Sequence, residues 1–249
     1  METSSYDKKG FAVACESVMY SAREQKQIGT LGEKTLHAVV KHYIEPDDSK
    51  HEIRIGPFFA DIVTDSGIIE VQTRSFNNLR KKLKEFLELA PVTVVYPLPG
   101  TKWLLWIDGQ TGEVTKKRKS PKRYSVYDAI GELYKIRPLL SHPNLRLRII
   151  FIDIEEYRYL DGWSKDRKKG STRCDRIPKD IVGDVCFCSP ADYIRFIPDD
   201  LRSRFTSKDL KIAAKINLHT AQTVLNILHH IGTVRRVDKQ GNLYVYERQ

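Results

Sequence analysis

The sequence contains no run of 18 or more apolar residues, which excludes a transmembrane helix of ordinary length. Its first ten residues, METSSYDKKG, lack the basic-then-apolar order of a secretory signal. No membrane partner and a cytoplasmic location are the expectations that follow. Cysteine is scarce, with only Cys15, Cys174, Cys186 and Cys188. Cys186 and Cys188 are separated by one residue, and Cys174 lies twelve positions earlier with no fourth ligand at a structural-zinc spacing. Reduced, partly buried thiols are expected, and on this ground no zinc. Acidic residues are outnumbered: 32 Asp and Glu face 42 Lys and Arg, a formal net charge of +10. That imbalance favours an anionic partner, most often nucleic acid. There is no internal repeat and no long low-complexity tract.

What is present suffices for a core. The chain has 249 residues, 41% of them apolar, enough for one large domain or two smaller ones. Periodicity predicts a helix from Leu31 to Tyr43, with Leu36, Val39, Val40 and Tyr43 on one face. Three short strands follow: HEIRIG, FFADIVT and GIIEVQTR. Next comes an amphipathic helix, SFNNLRKKLKEFLELA, with Ser75 as its cap and Lys and Arg opposite its apolar face. PVTVVYPLP is a buried strand, TKWLLWIDGQTGEV a strand and turn, YDAIGELYKIRPLL a helix, and LRLRIIFIDIEEYRYL a strong strand. KKRKSPKR, six basic residues in eight, reads as a solvated or phosphate-contacting loop. Residues 161–190 read as loop-rich.

FFADIVTDSGIIEVQTR, from Phe58 to Arg74, poses a chemical problem. Carboxylates are depleted in strands and costly to bury unpaired, yet Asp61 and Glu70 interrupt two apolar strands. A two-residue turn at Asp65-Ser66 would set Thr64 against Gly67 and Asp61 against Glu70. Facing carboxylates repel unless a cation lies between them, and a hard divalent ion takes such oxygen ligands.

Helix, three strands, helix, strand, with Asp61 on the second strand and Glu70-x-Gln72 on the third, resembles the PD-(D/E)XK nuclease superfamily. The resemblance implies an α/β fold with a restriction-endonuclease-like αβββαβ core around a central mixed sheet. It implies hydrolysis of DNA phosphodiesters with Mg²⁺ or Mn²⁺. Asp61 and Glu70 would hold the ion, with the Val71 carbonyl as a further ligand. Glu33 matches the carboxylate that many members carry on the first helix, and would bind a second ion or the metal's waters. Gln72 stands where Lys is usual and would orient a water; Ala60 stands where Pro is usual. Arg74 and Arg80 would steady the nucleic-acid backbone. EVQTRSFNNLR is also similar to the Gln-Ser…Arg spacing of the CoiA-like branch. His37, one turn beyond Glu33, reads as a packing residue.

From Pro198 the pattern changes. Thr206 or Ser207 caps a helix through Ile216, INL turns, and a second helix runs from His219 to His230. Gly232 ends it, and TVRRV and LYVYER form a hairpin. This order resembles a winged-helix domain, giving a division into residues 1–197 and 198–249. From Ser203 onward eight Lys and Arg face three Asp and Glu. By resemblance His219, Thr220, Gln222, Thr223 and Asn226 would face DNA, and Arg235, Arg236 and Lys239 would serve the wing. A nuclease-like domain joined to a winged helix is similar in architecture to the strand-cleaving subunit of some cut-and-paste transposons; mobile-element, defence and repair settings are all compatible with it. Cutting both strands would call for a homodimer. The alternatives are a DNA-binding regulator or scaffold that has lost the chemistry, which Gln72 favours, and a protein-binding adaptor.

Overall fold

In the computed structural model, which describes residues 6–24, 34–73, 75–162 and 171–249, the chain opens with helices α1 (Lys8–Glu24) and α2 (Lys34–Ile44). Strands β1 (His51–Ile55), β2 (Phe58–Thr64) and β3 (Gly67–Val71), helix α3 (Arg80–Leu89) and strand β4 (Val92–Ile107) follow. Then come β5 (Arg118–Lys119), α4 (Ile130–Lys135), β6 (Leu145–Tyr159) and β7 (Arg173–Phe187). The chain ends with β8 (Arg204–Phe205), α5 (Ser207–Ala213), α6 (Leu218–His230), β9 (Val234–Gln240) and β10 (Leu243–Arg248). Glu33 and Arg74 lie outside the described residues.

The fold is mixed α/β around a seven-stranded mixed sheet of order β1-β2-β3-β4-β6-β7, with β5 paired to β4. β1, β2 and β3 are antiparallel neighbours; β3–β4 and β4–β6 are parallel; β7 returns antiparallel. The middle stretches of β4 and β6, at Val94–Val95 and Ile149–Ile152, are apolar on both faces because both faces are covered there. On one side α1 and α2 bury Phe11, Leu36, Val39 and Val40 against Val71, Val95, Ile150 and Ile152. On the other, Leu83, Phe86 and Leu87 of α3 and Leu133 of α4 cover Val92, Val94 and Ile149. Each such fully buried side chain contributes about 1.5–3 kcal/mol relative to exposure. This second core continues into Leu210, Val224, Leu225 and Leu228 of the C-terminal helices.

Four expectations need correction. The segment 161–190 is not mainly loop, since residues 173–187 form the edge strand β7. Its Pro178 and its charges disguised it; an edge position tolerates proline, and the charges pair across the sheet and with α1, as Arg176–Glu156, Lys179–Glu155, Arg148–Asp184 and Lys8–Asp180. PVTVVYPLP and TKWLLWI are one strand, β4, whose ladder shifts register between Pro99 and Lys102. Its two tryptophans are only half-buried, and the Lys117 ammonium sits 4.4 Å from the Trp103 ring. The helix expected over residues 127–140 is a six-residue α4 between short 3-10 turns. Ser75 does not cap α3, which starts at Arg80 after a turn through residues 76–79 and has no side-chain cap. Ser75 instead accepts from Gln72 Nε2 through its carbonyl (2.9 Å) and from Lys135 through its hydroxyl (3.2 Å).

The C-terminal segment pairs α5 and α6 with a three-stranded antiparallel sheet, β8-β10-β9. Thr206 and Asp209 form a reciprocal capping box at α5. Asn217 caps α6 by accepting from Thr220 N at 2.8 Å.

Candidate functional site

The β2–β3 turn is the two-residue turn expected from the sequence. Thr64 pairs with Gly67 and Ile62 with Ile69. Gly67 needs its glycine: its φ is +127°, and a Cβ would lie 2.3 Å from the Pro91 carbonyl oxygen. One step beyond Ile62 and Ile69 the regular ladder stops, and carboxylates replace it. The Asp61 carboxylate accepts from Val71 N–H at 2.7 Å, and the Glu70 carboxylate accepts from Asp61 N–H at 3.2 Å. Each acid thus ties down a backbone donor of the other strand that would otherwise be unpaired.

Two basic side chains meet the acids from opposite helical layers. Lys82 of α3 places its ammonium 2.6 Å from Glu70 Oε2, with both side chains largely buried. His37 of α2 lies 3.4 Å from Asp61 Oδ2 through Nε2, so it is more than a packing residue. One turn further along α2, Lys41 reaches Glu52 of β1 at 2.5 Å.

The two carboxylates are driven apart electrostatically. Burial pushes Glu70 up, the Asp61 charge adds to this, and against Lys82 it reaches about 7. Burial also acts on Asp61. There the hydrogen bond and charge of His37, the Lys82 ammonium and the Val71 N–H outweigh it, and Asp61 is held below the ordinary carboxylate value. Near neutral pH one acid is firmly ionised and its neighbour is poised to gain or lose a proton, a separation suited to acid–base work.

Gln72 lies one residue past the end of β3, half-buried, with its N–H bonded to Val95 O at 2.9 Å. Its amide NH₂ is engaged by the Ser75 carbonyl, which leaves the side-chain oxygen as its remaining acceptor. Arg80 is exposed at the start of α3. Sequence reasoning set Lys82 on the solvated face of α3, yet it lies three residues after Leu79 and four before Phe86, on the apolar stripe. A lysine at that spacing was the available signal. His37 and Lys41 share one face of α2 by the same rule.

In the C-terminal segment, Arg235, Arg236 and Lys239 are exposed on β9. Arg235 is shared with Glu247 at 2.7 Å. Arg236 stacks on Tyr244, 4.0 Å from the ring centroid, and Lys239 lies 5.4 Å from it. The expected reading face of α6 is not fully open. His219, Thr220, Gln222, Thr223 and Asn226 line a groove closed on its other side by Tyr127, Ile130 and Tyr134. Asn226 accepts a hydrogen bond from Arg137, and that contact turns it toward the α4 layer rather than outward.

A family profile described as a domain of unknown function, DUF8091, matches residues 34–188. The chain belongs to the DUF8091 family. The DUF8091 span runs from the start of α2 to just past the end of β7 and so contains His37, Asp61, Glu70, Gln72 and Lys82. An uncharacterized protein of Treponema pallidum (strain Nichols) is 27% identical over 223 residues, covering 89% of this chain and 88% of that protein. That similarity extends beyond the DUF8091 span. No solved structure matches the chain.

Proposed function

We propose that the chain is a metal-dependent DNA endonuclease built on a PD-(D/E)XK-like core, with a winged-helix-like C-terminal segment that contributes to DNA binding. One observation carries the reading: Asp61 and Glu70 exchange side-chain-to-backbone bonds where the β2–β3 ladder ends, and a lysine from the next helix meets Glu70. The run α2-β1-β2-β3-α3-β4 in which they sit supports it, as does the net charge of +10.

The donor types fit a hard cation: two carboxylates where the regular β2–β3 ladder ends, with the Val71 carbonyl as a further candidate ligand. Asp61 and Glu70 would hold Mg²⁺ or Mn²⁺, and Glu33 would add a ligand directly or through water. Bound there, the ion would lower the pKa of a water and offset phosphate charge. Lys82 supplies the ammonium that position 72 lacks. It holds Glu70 in place and would offer a donor to a phosphate oxygen. His37 keeps Asp61 oriented and ionised. Gln72, anchored through its NH₂ on Ser75, presents its oxygen to a water's proton.

Arg80 and the β9 row of Arg235, Arg236 and Lys239 would contact phosphates. Thr220, Gln222 and Thr223 serve DNA only if the ligand enters the groove beside α4, and Asn226 only after release from Arg137. A DNA-binding scaffold without chemistry is the second reading. It is favoured by the Gln72 NH₂ being engaged on the Ser75 carbonyl and by Lys82 already being paired with Glu70.

Plasmid nicking by the full chain with Mg²⁺ or Mn²⁺ tests the proposal. Asp61→Ala should lower nicking by more than about a hundredfold, since outer-sphere changes at metal sites already cost 10–100-fold. Wild-type protein that binds DNA but leaves plasmid intact with either ion would sink the nuclease and favour the scaffold.

A further inference from the structure

A second cluster of ligand-type side chains lies outside the Asp61–Glu70 pair. His42 near the end of α2, Asp48 in the following turn and His51 at the start of β1 converge so that one ligand atom from each lies within 4.8 Å of the others. No other described group of three His, Cys, Asp or Glu residues does so.

The geometry at the centre of this cluster is specific. A single oxygen, Asp48 Oδ1, lies 3.4 Å from His42 Nδ1 and 3.3 Å from His51 Nδ1. A tetrahedral zinc ion, with bonds of about 2.05 Å to nitrogen and 2.1 Å to oxygen, sets neighbouring ligand atoms about 3.4 Å apart. An octahedral ion with bonds of about 2.1 Å would set them closer, about 3.0 Å.

The other edge of the His51 ring is already committed. Nε2 lies 2.8 Å from the Glu45 carbonyl, which only accepts, so Nε2 carries the hydrogen. With Nε2 turned to that carbonyl, Nδ1 is the ring nitrogen that faces Asp48 Oδ1, on the side where an ion would sit. A backbone carbonyl on the far nitrogen is also the usual partner of a metal-bound histidine, fixing its tautomer and direction.

The loop that carries the ligands is independently held. Asp47 accepts from Ser49 N at 3.0 Å and from Ser49 Oγ at 2.7 Å, and the His51 N–H returns to the Asp48 carbonyl. The histidine rings meet edge to face, 5.2 Å between centroids. His51 is 9% exposed at its side chain while Asp48 is 76% exposed, so the cluster has a buried wall and an open front.

We propose that His42, Asp48 and His51 form a zinc site with three protein ligands and water in the fourth position, clamping the end of α2 to the start of edge strand β1. The scarcity and spacing of cysteine say nothing against it, because no thiolate takes part. The site is separate from the Asp61–Glu70 pair and does not depend on the nuclease reading. Soft imidazole nitrogens favour zinc over Mg²⁺ here, whereas the all-oxygen pair favours the reverse.

The test uses the untagged full chain, stripped with chelator, and zinc alone as the probe. Calorimetric titration should show one Zn²⁺ per chain in the presence of excess Mg²⁺. Cobalt substitution should give the intense visible bands of a tetrahedral ion. Asp48→Asn and His42→Gln should each weaken zinc binding by at least about tenfold. Asp61→Asn should leave it unchanged. Absence of zinc uptake would overturn the proposal. So would octahedral cobalt bands, zinc uptake unaffected in Asp48→Asn and His42→Gln, or uptake lost in Asp61→Asn.

Discussion

Glu70→Gln should flatten a pH dependence of stability that the wild type carries between about pH 4.5 and 8. Glu70 is raised from an ordinary 4.5 to about 7 by burial and by the Asp61 charge, in spite of Lys82 at 2.6 Å. The folded state therefore holds this proton more tightly than the unfolded chain does. The associated stability is fully present below pH 4.5 and is lost as pH rises through about 7. A displacement of this size corresponds to about 3 kcal/mol. Asp61 moves the other way, so its contribution is lost only as pH falls below the ordinary carboxylate range, outside this window.

Urea unfolding at pH 5, 6, 7 and 8, wild type against Glu70→Gln, isolates the effect as a difference of differences. The wild type should lose about 3 kcal/mol more than the variant across the window. Lys82→Met should shift the wild-type curve to higher pH, since an ammonium near the carboxylate contributes up to about 4 kcal/mol at 4 Å and an effective dielectric of about 20. Millimolar Mg²⁺ at pH 8 should restore stability to the wild type and not to Glu70→Gln, because ligation requires the ionised form. Parallel wild-type and Glu70→Gln curves from pH 5 to 8 would refute the electrostatic account of the pair.

Three further outcomes are expected. Replacing Arg235, Arg236 and Lys239 together by Ala should reduce the slope of log affinity against log salt by about 2–3 in a DNA-binding titration, close to 0.9 per lost phosphate contact; an unchanged slope would remove the β9 row from the DNA interface. Gly67→Ala should destabilise by more than about 1 kcal/mol, because alanine cannot hold a positive φ without strain and its Cβ would strike the Pro91 carbonyl; calorimetric melting reads this, and any nicking activity should fall with the lost hairpin register. Leu83→Ala, at a site with no exposure, should cost about 2–5 kcal/mol in urea unfolding, and a cost under about 1 kcal/mol would mean that α3 does not pack as described.

Much of the acidic hairpin was legible because its determinants are local. A two-residue polar turn followed by glycine fixes register by counting, and counting alone set Asp61 opposite Glu70. The capped C-terminal helices and their hairpin were legible for the same reason: caps, a 3.6-residue stripe and a glycine stop are read within a few residues. The charged strand β7 was not. Its residues suit an edge only because β6 brings Glu155, Glu156 and Arg148 alongside, and nothing in residues 173–187 declares that.

The sequence by itself determined the element order from α2 through the hairpin, the proximity of the two carboxylates and the basic balance of the chain. Each follows from the period of side-chain directions, from turn chemistry or from composition. Only the tertiary structure decided which basic side chains meet the acids. Lys82 comes from α3 and His37 from α2, on opposite layers of the sheet, and their distances to Glu70 and Asp61 depend on how helices dock rather than on chain spacing. Tertiary packing likewise turned Asn226 toward Arg137, and it brought His42 and His51 onto one oxygen of Asp48. Such convergence is a property of folded geometry, where residues far apart along the chain share a few ångströms of space.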